Sequence, residues 1–310
     1  MSYEELYYTA LDVGAAIVYL LLCFLLFLLG KFFFKLMNSS VNIKEELVKK
    51  DNVAFAIVMS GYYLGIMMAI GGALVGPNNW ESGEELRIFV KNIIDLLLYG
   101  CLSIILMNLS AIINDRVILY QFSNRDEIIR DRNEGAGVVV GVGYLCTGLI
   151  VWGAVSGEGG AELSNISFLG ITLGGILSTL VFWTLGQVAM IIAGFIYNWI
   201  TPYDVHDEIE RDNVAAGIGF AGALLAIGNL IRISIEGDFI SWSENLLRFS
   251  YVVVLGLILL PIIRTGVDKI LLPGERLTDE IVNQEKPNLG AAFLEAFSYV
   301  GLSFLIGWAI

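Results

Sequence analysis

The chain is predicted to be an all-α polytopic membrane protein with eight transmembrane helices, and three observations predict it. Its 310 residues are 56% apolar and only 16% charged, against roughly 45–50% and 25% in ordinary soluble domains. The apolar residues fall in runs of twenty or more separated by short charged stretches, near the length that crosses a bilayer. The charged stretches repeat at a nearly fixed interval along the chain. The mean hydropathy of +0.74 and net charge of −13 exclude disorder, a disulfide-stapled module and a nucleic-acid binder.

The runs place spans at about 11–36, 53–75, 88–113, 136–156, 167–199, 214–235, 247–271 and 289–310. The first follows an acidic start, Met1-Ser-Tyr-Glu-Glu, unlike the basic start of a cleaved signal, and is expected to be retained. The fifth is too long for one upright helix at 1.5 Å per residue. It is expected to tilt, or to begin in the interface near Ile166. Strand-like alternation is absent, which excludes a β-barrel. Cys23, Cys101 and Cys146 each stand alone in an apolar run, without metal or disulfide spacing, and the one histidine, His206, falls in a charged loop.

Basic residues sort by side. Fourteen of the eighteen lie in or beside the linkers inside successive pairs of spans, among them Lys44, Lys49, Lys50, Arg125, Arg130, Arg211, Arg264 and Lys286. The other four, Arg87, Lys91, Arg232 and Arg248, lie toward the opposite side. The positive-inside rule therefore predicts four cytoplasmic linkers and both termini outward. Trp80, Trp152, Trp242 and Trp308 then form an outer aromatic belt, with Trp199 at the inner boundary.

The four linkers resemble one another. They read Glu45-Glu-Leu…Asn52-Val-Ala, Asp126-Glu-Ile…Asn133-Glu-Gly-Ala-Gly, Asp207-Glu-Ile…Asn213-Val-Ala-Ala-Gly and Asp279-Glu-Ile…Asn288-Leu-Gly-Ala-Ala. The asparagines are 81, 80 and 75 residues apart, a periodicity that signals repeated units. Each unit is a two-helix hairpin, and an even number of spans gives all four the same polarity. The chain thus divides into two pseudo-repeated four-span domains, 1–160 and 161–310. Asn52, Asn133, Asn213 and Asn288 each suit a helix N-cap. A cytoplasmic ring of helix N-termini holding an anion or lipid headgroup is the functional alternative.

Two of these segments, Asn52-Val-Ala-Phe-Ala…Gly61-Tyr-Tyr-Leu-Gly-Ile and Asn213-Val-Ala-Ala-Gly-Ile-Gly-Phe-Ala-Gly222, resemble the second helix of the four-span bacterial membrane domain DUF350. The resemblance covers nearly the whole chain as tandem copies at about 10–156 and 165–310. Asn133-Glu-Gly and Pro287-Asn288-Leu depart from the Asn-Val-Ala form. The resemblance implies a bacterial inner-membrane location and a phage-shock-type peripheral membrane protein as partner. It implies no established activity.

Ionisable residues inside spans are the candidate sites. Glu295 and Arg264 stand at similar depth in the last hairpin and are expected to pair, as a structural clamp or as a gate or ion relay. Asp95 and Lys91 share a helix face by their i, i+4 spacing, with Arg232 as competing partner. Thr172, Ser178, Thr179, Thr184 and Gln187 line the fifth span, facing a cavity or bonding backbone. Gly217-Ile-Gly-Phe-Ala-Gly222 matches a nucleotide fingerprint by letters, but lies in a span with no preceding strand, which rejects it. Gly61/Gly65, Gly137/Gly141 and Gly170/Gly174 allow close helix approach within the chain or in a homo-oligomer. Acidic outward segments, including Glu4, Glu81, Glu84, Glu85, Glu158, Glu162, Glu236 and Asp238, are a solvated surface or a cation-concentrating vestibule.

No catalytic dyad, metal cluster or phosphate loop is visible, so neither an enzyme nor a cofactor is expected. Two functions remain open. One is a small-ion (cation) channel or transporter-like protein, with four hairpins around a central axis. The other is a non-transporting scaffold or envelope-stress component docking partners through its linkers. Membrane lipid is a partner in either case, with linker lysines resting on anionic headgroups.

Overall fold

A computed structural model of the protein describes residues 3–74, 80–119, 123–157, 167–168, 171–272 and 274–310. Eight long helices dominate: α1 (Tyr3–Met37), α2 (Val53–Gly72), α3 (Glu85–Ile113), α4 (Glu134–Val155), α5 (Leu173–Ile200), α6 (Val214–Ile235), α7 (Trp242–Gly266) and α8 (Leu289–Ala309). All eight are long and apolar enough to cross a membrane. The fold class is thus as the sequence predicts. The fifth span differs at its start: Ser167–Phe168 pairs antiparallel with Ile171–Thr172, and the helix begins only at Leu173. At 28 residues the helix is still longer than the usual span of about 20 and fits a bilayer by tilting. The expected interfacial start at Ile166 lies outside the described residues.

Short helical pieces fill the linkers. Single π-helical turns extend α3 (Asn114–Ile118) and α7 (Val267–Leu271), and two more occur at Glu45–Lys49 and Glu127–Asp131. Three linkers turn into the following helix through a residue of positive φ, Asp51, Arg132 and Asp212. Proline cannot adopt that conformation, so the fourth linker, with Pro287, reaches Asn288 by a different path.

The core is a row rather than a ring. The most extensive packing runs from α2 to α4 to α6 to α8, and α2 and α8 at its ends are not packed on each other. Neighbours in the row run parallel, because their contacts advance together: Ala54 meets Gly137, Gly61 meets Gly141, and Gly72 meets Trp152. Glycine makes this possible. A side chain at Gly61, Gly148 or Gly217 would strike the backbone of the next helix, so these helices approach as closely as backbones allow. The odd helices lie over the row: α3 packs on α2 and α4, α5 on α4 and α6, and α7 on α6 and α8. α4 packs on both α2 and α6, so its side chains join the apolar cluster of each half.

Candidate functional site

Two polar constellations stand out, one in the linkers and one inside the second half. In the linkers, all four repeated asparagines do the same two things, and the first three also do a third. Its Oδ1 caps the following helix, accepting from Phe55 N, Ala136 N, Ala216 N and Ala291 N at 2.9–3.2 Å. Its Nδ2 donates to a glutamate of its own linker: Asn52 to Glu46 (3.1 Å), Asn133 to Glu127 (2.9 Å), Asn213 to Glu208 (2.9 Å) and Asn288 to Glu280 (2.7 Å). The second amide hydrogen reaches into the next linker. Asn52 donates to Ile128 O (2.9 Å), Asn133 to Ile209 O (2.5 Å) and Asn213 to Ile281 O (2.9 Å).

The first three asparagines are buried and Asn288 is exposed. The carboxamides of the first three are spent on protein partners, and the helix N-termini that the four cap belong to a row of helices rather than a ring. The glutamates respond to their surroundings differently. Burial pushes Glu46 up, but hydrogen bonds from Lys50 and Asn52, with the charges of Lys50 and Arg132, outweigh it and leave it below its usual range. Burial also pushes Glu127 up, and there it prevails over the Asn133 bond.

Because the cap and the inter-linker bond share one side chain, their loss is unequal along the row. Asn213→Ala is expected to remove the cap, about 0.5–2 kcal/mol, and to leave buried partners unsatisfied, about 1–3 kcal/mol more. Asn288→Ala in detergent is expected to cost only the cap term. Thermal unfolding of the two variants side by side checks this ordering.

The second constellation is built by α5, α6, α7, α8 and the third linker. Glu295 on α8 is fully buried, and its Oε1 accepts from Arg264 Nη1 of α7, Tyr197 Oη of α5 (3.2 Å) and Tyr299 Oη of its own helix (3.2 Å). The Arg264 guanidinium lies over the rings of Tyr197 and Tyr203, 5.8 and 5.7 Å from their centroids, a favourable cation–π arrangement. Gly219 on α6 makes room, since a side chain there would meet Glu295 Oε2 and Tyr197 Oη. Among the described residues, Glu295 Oε2, Arg264 Nη2 and Tyr203 Oη are buried without a hydrogen bond. Tyr203, in the linker, is pushed up to about 12 by burial and the Glu295 charge, so it stays a neutral phenol. At Glu295's register the other hairpins carry Met59, Val140 and Phe220, and the first half has instead a neutral centre, with Tyr62 Oη donating to Gly30 O at 3.1 Å.

The other candidates separate. Arg232 pairs with Glu236, donates to Asn229 Oδ1 at 3.3 Å and lies over Trp152. It does not reach Asp95. Asp95 is half-buried and Lys91 exposed, and among the described residues no ion pair within 4 Å joins them. In the fifth span Ser178 and Thr184 bond backbone of their own helix, and Thr179 Oγ1 also donates to Ala154 O of α4 at 2.9 Å. Gln187 is buried, and the side chain of Thr172 lies outside the described residues. The three glycines of the nucleotide-like string pack on Gly135, Glu295 and Ala296. Gly61/Gly65 and Gly137/Gly141 are intrachain α2–α4 contacts, whereas Gly170 lies outside the described residues.

Among the outward acids, Glu84 pairs with Arg87 and Glu236 with Arg232, while Glu158 and Glu162 lie outside the described residues. Asp12 accepts from Trp80 Nε1 at 2.7 Å, and Trp199 and Trp308 are largely exposed. His206 is buried rather than in an open loop, its Nε2 donating to Ile118 O at 2.8 Å. Sequence reasoning missed the tyrosines around Glu295 and the specific glutamate behind each asparagine. The recurring Glu-aliphatic pair was the available signal for the latter.

Eight apolar spans, a glycine-packed row and linkers tied by repeated asparagines define a polytopic α-helical membrane protein. The chain belongs to the family described as Domain of Unknown Function (DUF350), which matches residues 7–155 and 171–310. It is also similar to a UPF0719 transmembrane protein of Aquifex aeolicus (strain VF5), 23% identical over 213 residues, which are 68% of this chain and 71% of that protein. No solved structure matches the chain.

Proposed function

We propose that this chain is a non-catalytic, non-transporting membrane scaffold that presents its linker face to a peripheral partner. The observation that carries the reading is the packed row. The four even helices meet backbone to backbone, with no shared axis among them for an ion to follow. Ser178, Thr179 and Thr184 of α5 bond backbone. The linkers form one tied surface, with Val48, Lys49, Arg125, Arg211 and Ile270 exposed on it, a mixed apolar and basic face suited to a protein or anionic lipid. The fourteen-to-four bias of basic residues supports a cytoplasmic linker face in a bacterial inner membrane, with outward termini.

A second reading has its own observation. Among the described residues, Glu295, Arg264 and Tyr203 each hold a buried polar atom without a hydrogen bond in the second half, a set able to relay a proton or take a small polar guest. Cation and proton flux into proteoliposomes separates the two. The scaffold reading expects no flux above empty liposomes, and photo-crosslinks in cells from Lys49 and Arg211 but not from Arg87 on the opposite side. Flux that Glu295→Gln abolishes establishes the relay and overturns the scaffold.

A further inference from the structure

The row has two different ends, and each carries one half of the contact that repeats inside it. At one end Asn288 is exposed, and its Nδ2 bonds only Glu280 among the described residues, without the inter-linker acceptor that Asn52, Asn133 and Asn213 have. At the other end Leu47 occupies the register of Ile128, Ile209 and Ile281, and among the described residues its carbonyl takes no asparagine.

The helix contacts follow a rule of the same kind. Counting from each Asn, position +2 of one even helix meets +4 of the next, as Ala54 with Gly137 and Gly135 with Gly217. Position +9 meets +8, as Gly61 with Gly141 and Gly222 with Ala296. Position +13 meets +15, as Gly65 with Gly148 and Cys146 with Gly228. Carried past α8, the rule leaves Gly290, Phe297 and Gly301 unmatched, and a Cβ at Gly301 would meet nothing within 4 Å. Carried back before α2, it leaves Ala56, Ser60 and Met67 unmatched, with Ser60 and Met67 exposed.

The covering helices agree. α3, α5 and α7 each straddle two even helices, but α1 has only α2 beneath it. Its Ile17, Leu20, Leu21 and Phe24 are exposed.

We propose that copies of this chain assemble head to tail in the membrane, α8 of one packing on α2 of the next in the register used inside the chain. Asn288 then donates to Leu47 O of the following copy, Gly301 faces Met67, and α1 covers the junction. The occupant is a second copy because the surface is continuous with three junctions already formed, and both complementary halves are present on one chain. Phe297 stands where Gly61 and Gly222 allow the closest approach, but the second junction already accommodates Val142 at that register. The contact is heterologous, and all units share one polarity. It therefore builds a ring about the membrane normal if the rotation closes and an open row if it does not. This holds whichever reading of the function is right.

Cross-linking tests it. In a background carrying Cys23→Ala, Cys101→Ala and Cys146→Ala, copies with Met67→Cys are co-expressed with copies carrying Gly301→Cys, and the membranes are oxidised. Disulfide-linked dimer from the mixture, and none from either copy alone, is the expected result. Dimer from Gly301→Cys alone indicates a two-fold α8–α8 contact and overturns the proposal. Mass in nanodiscs is the second measurement. The wild type is expected at a multiple of 34.0 kDa, reduced to one copy by Gly301→Trp, at an exposed position where an added Cβ meets nothing within 4 Å inside the chain. A wild type of one copy, or a Gly301→Trp variant with undiminished mass, overturns it.

Discussion

Glu295→Leu is expected to destabilise the protein by about 3–5 kcal/mol, the usual cost of breaking a buried ion pair by removing one partner. Expressed as a half-life at elevated temperature in detergent, a 3 kcal/mol loss from the unfolding barrier is roughly a hundredfold shortening. The reason is the partner left behind. Arg264 is 8% exposed, and a guanidinium cannot shed its charge to suit an apolar site. The Tyr197 and Tyr203 rings beneath it compensate only in part. Arg264→Met is expected to cost less, because a lone carboxyl can be neutralised by a proton and Glu295 keeps the Tyr197 and Tyr299 hydroxyls. The double variant Glu295→Leu, Arg264→Met is expected to recover most of the stability, since well-packed apolar pairs often replace buried ion pairs without loss. If the double variant restores stability and a flux assay is unmoved, the pair is a clamp. Equal losses in all three variants would contradict this account.

How much of this was legible beforehand depends on which solvent each residue faces. The spans were legible because their length and apolarity are set by the bilayer alone. The asparagine repeat was legible because it lies in the short charged linkers between apolar runs, where a polar residue recurs beside the start of each apolar helix. Arg264 and Glu295 do meet, and a charge inside a span has few places to find a counter-charge.

Inside the membrane that contrast is lost. Lipid-facing and protein-facing sides of a helix are both apolar, so periodicity does not say which side packs. Hence the sequence suggested four hairpins about an axis where the structure holds a row, and it gave no sign that α4 has neighbours on two sides. Tyr197 and Tyr299 were invisible for the same reason: an aromatic in an apolar run is unremarkable until its hydroxyl is seen on Glu295. His206 read as a loop residue because its neighbours Asp204, Asp207 and Glu208 are charged. Its burial depends on Ile118, 88 residues away.

The glycines give the other large effect, and its size should depend on position in the row. Gly217→Val is expected to cost about 3 kcal/mol or more, at or beyond the upper end of overpacking penalties. A Cβ at Gly217 would lie 2.6 Å from Gly135 O, and the obstacle is backbone, which no rotamer change removes. Nor can either helix retreat easily. α6 is held between α4 and α8, and α4 between α2 and α6, so widening one junction compresses another. Gly61→Val also strikes backbone, at Gly141, but α2 ends the row and can move outward in the isolated chain, so the loss there should be smaller. Gly71→Ala is the opposite case. Nothing lies within 4 Å of its added Cβ, and alanine is the better helix former by about 1 kcal/mol, so it should leave stability unchanged or raise it. The ordering Gly217→Val below Gly61→Val below Gly71→Ala in thermal half-life follows from the row. Four hairpins around a central axis would instead make the two valine variants equivalent, and measuring all three decides between the arrangements.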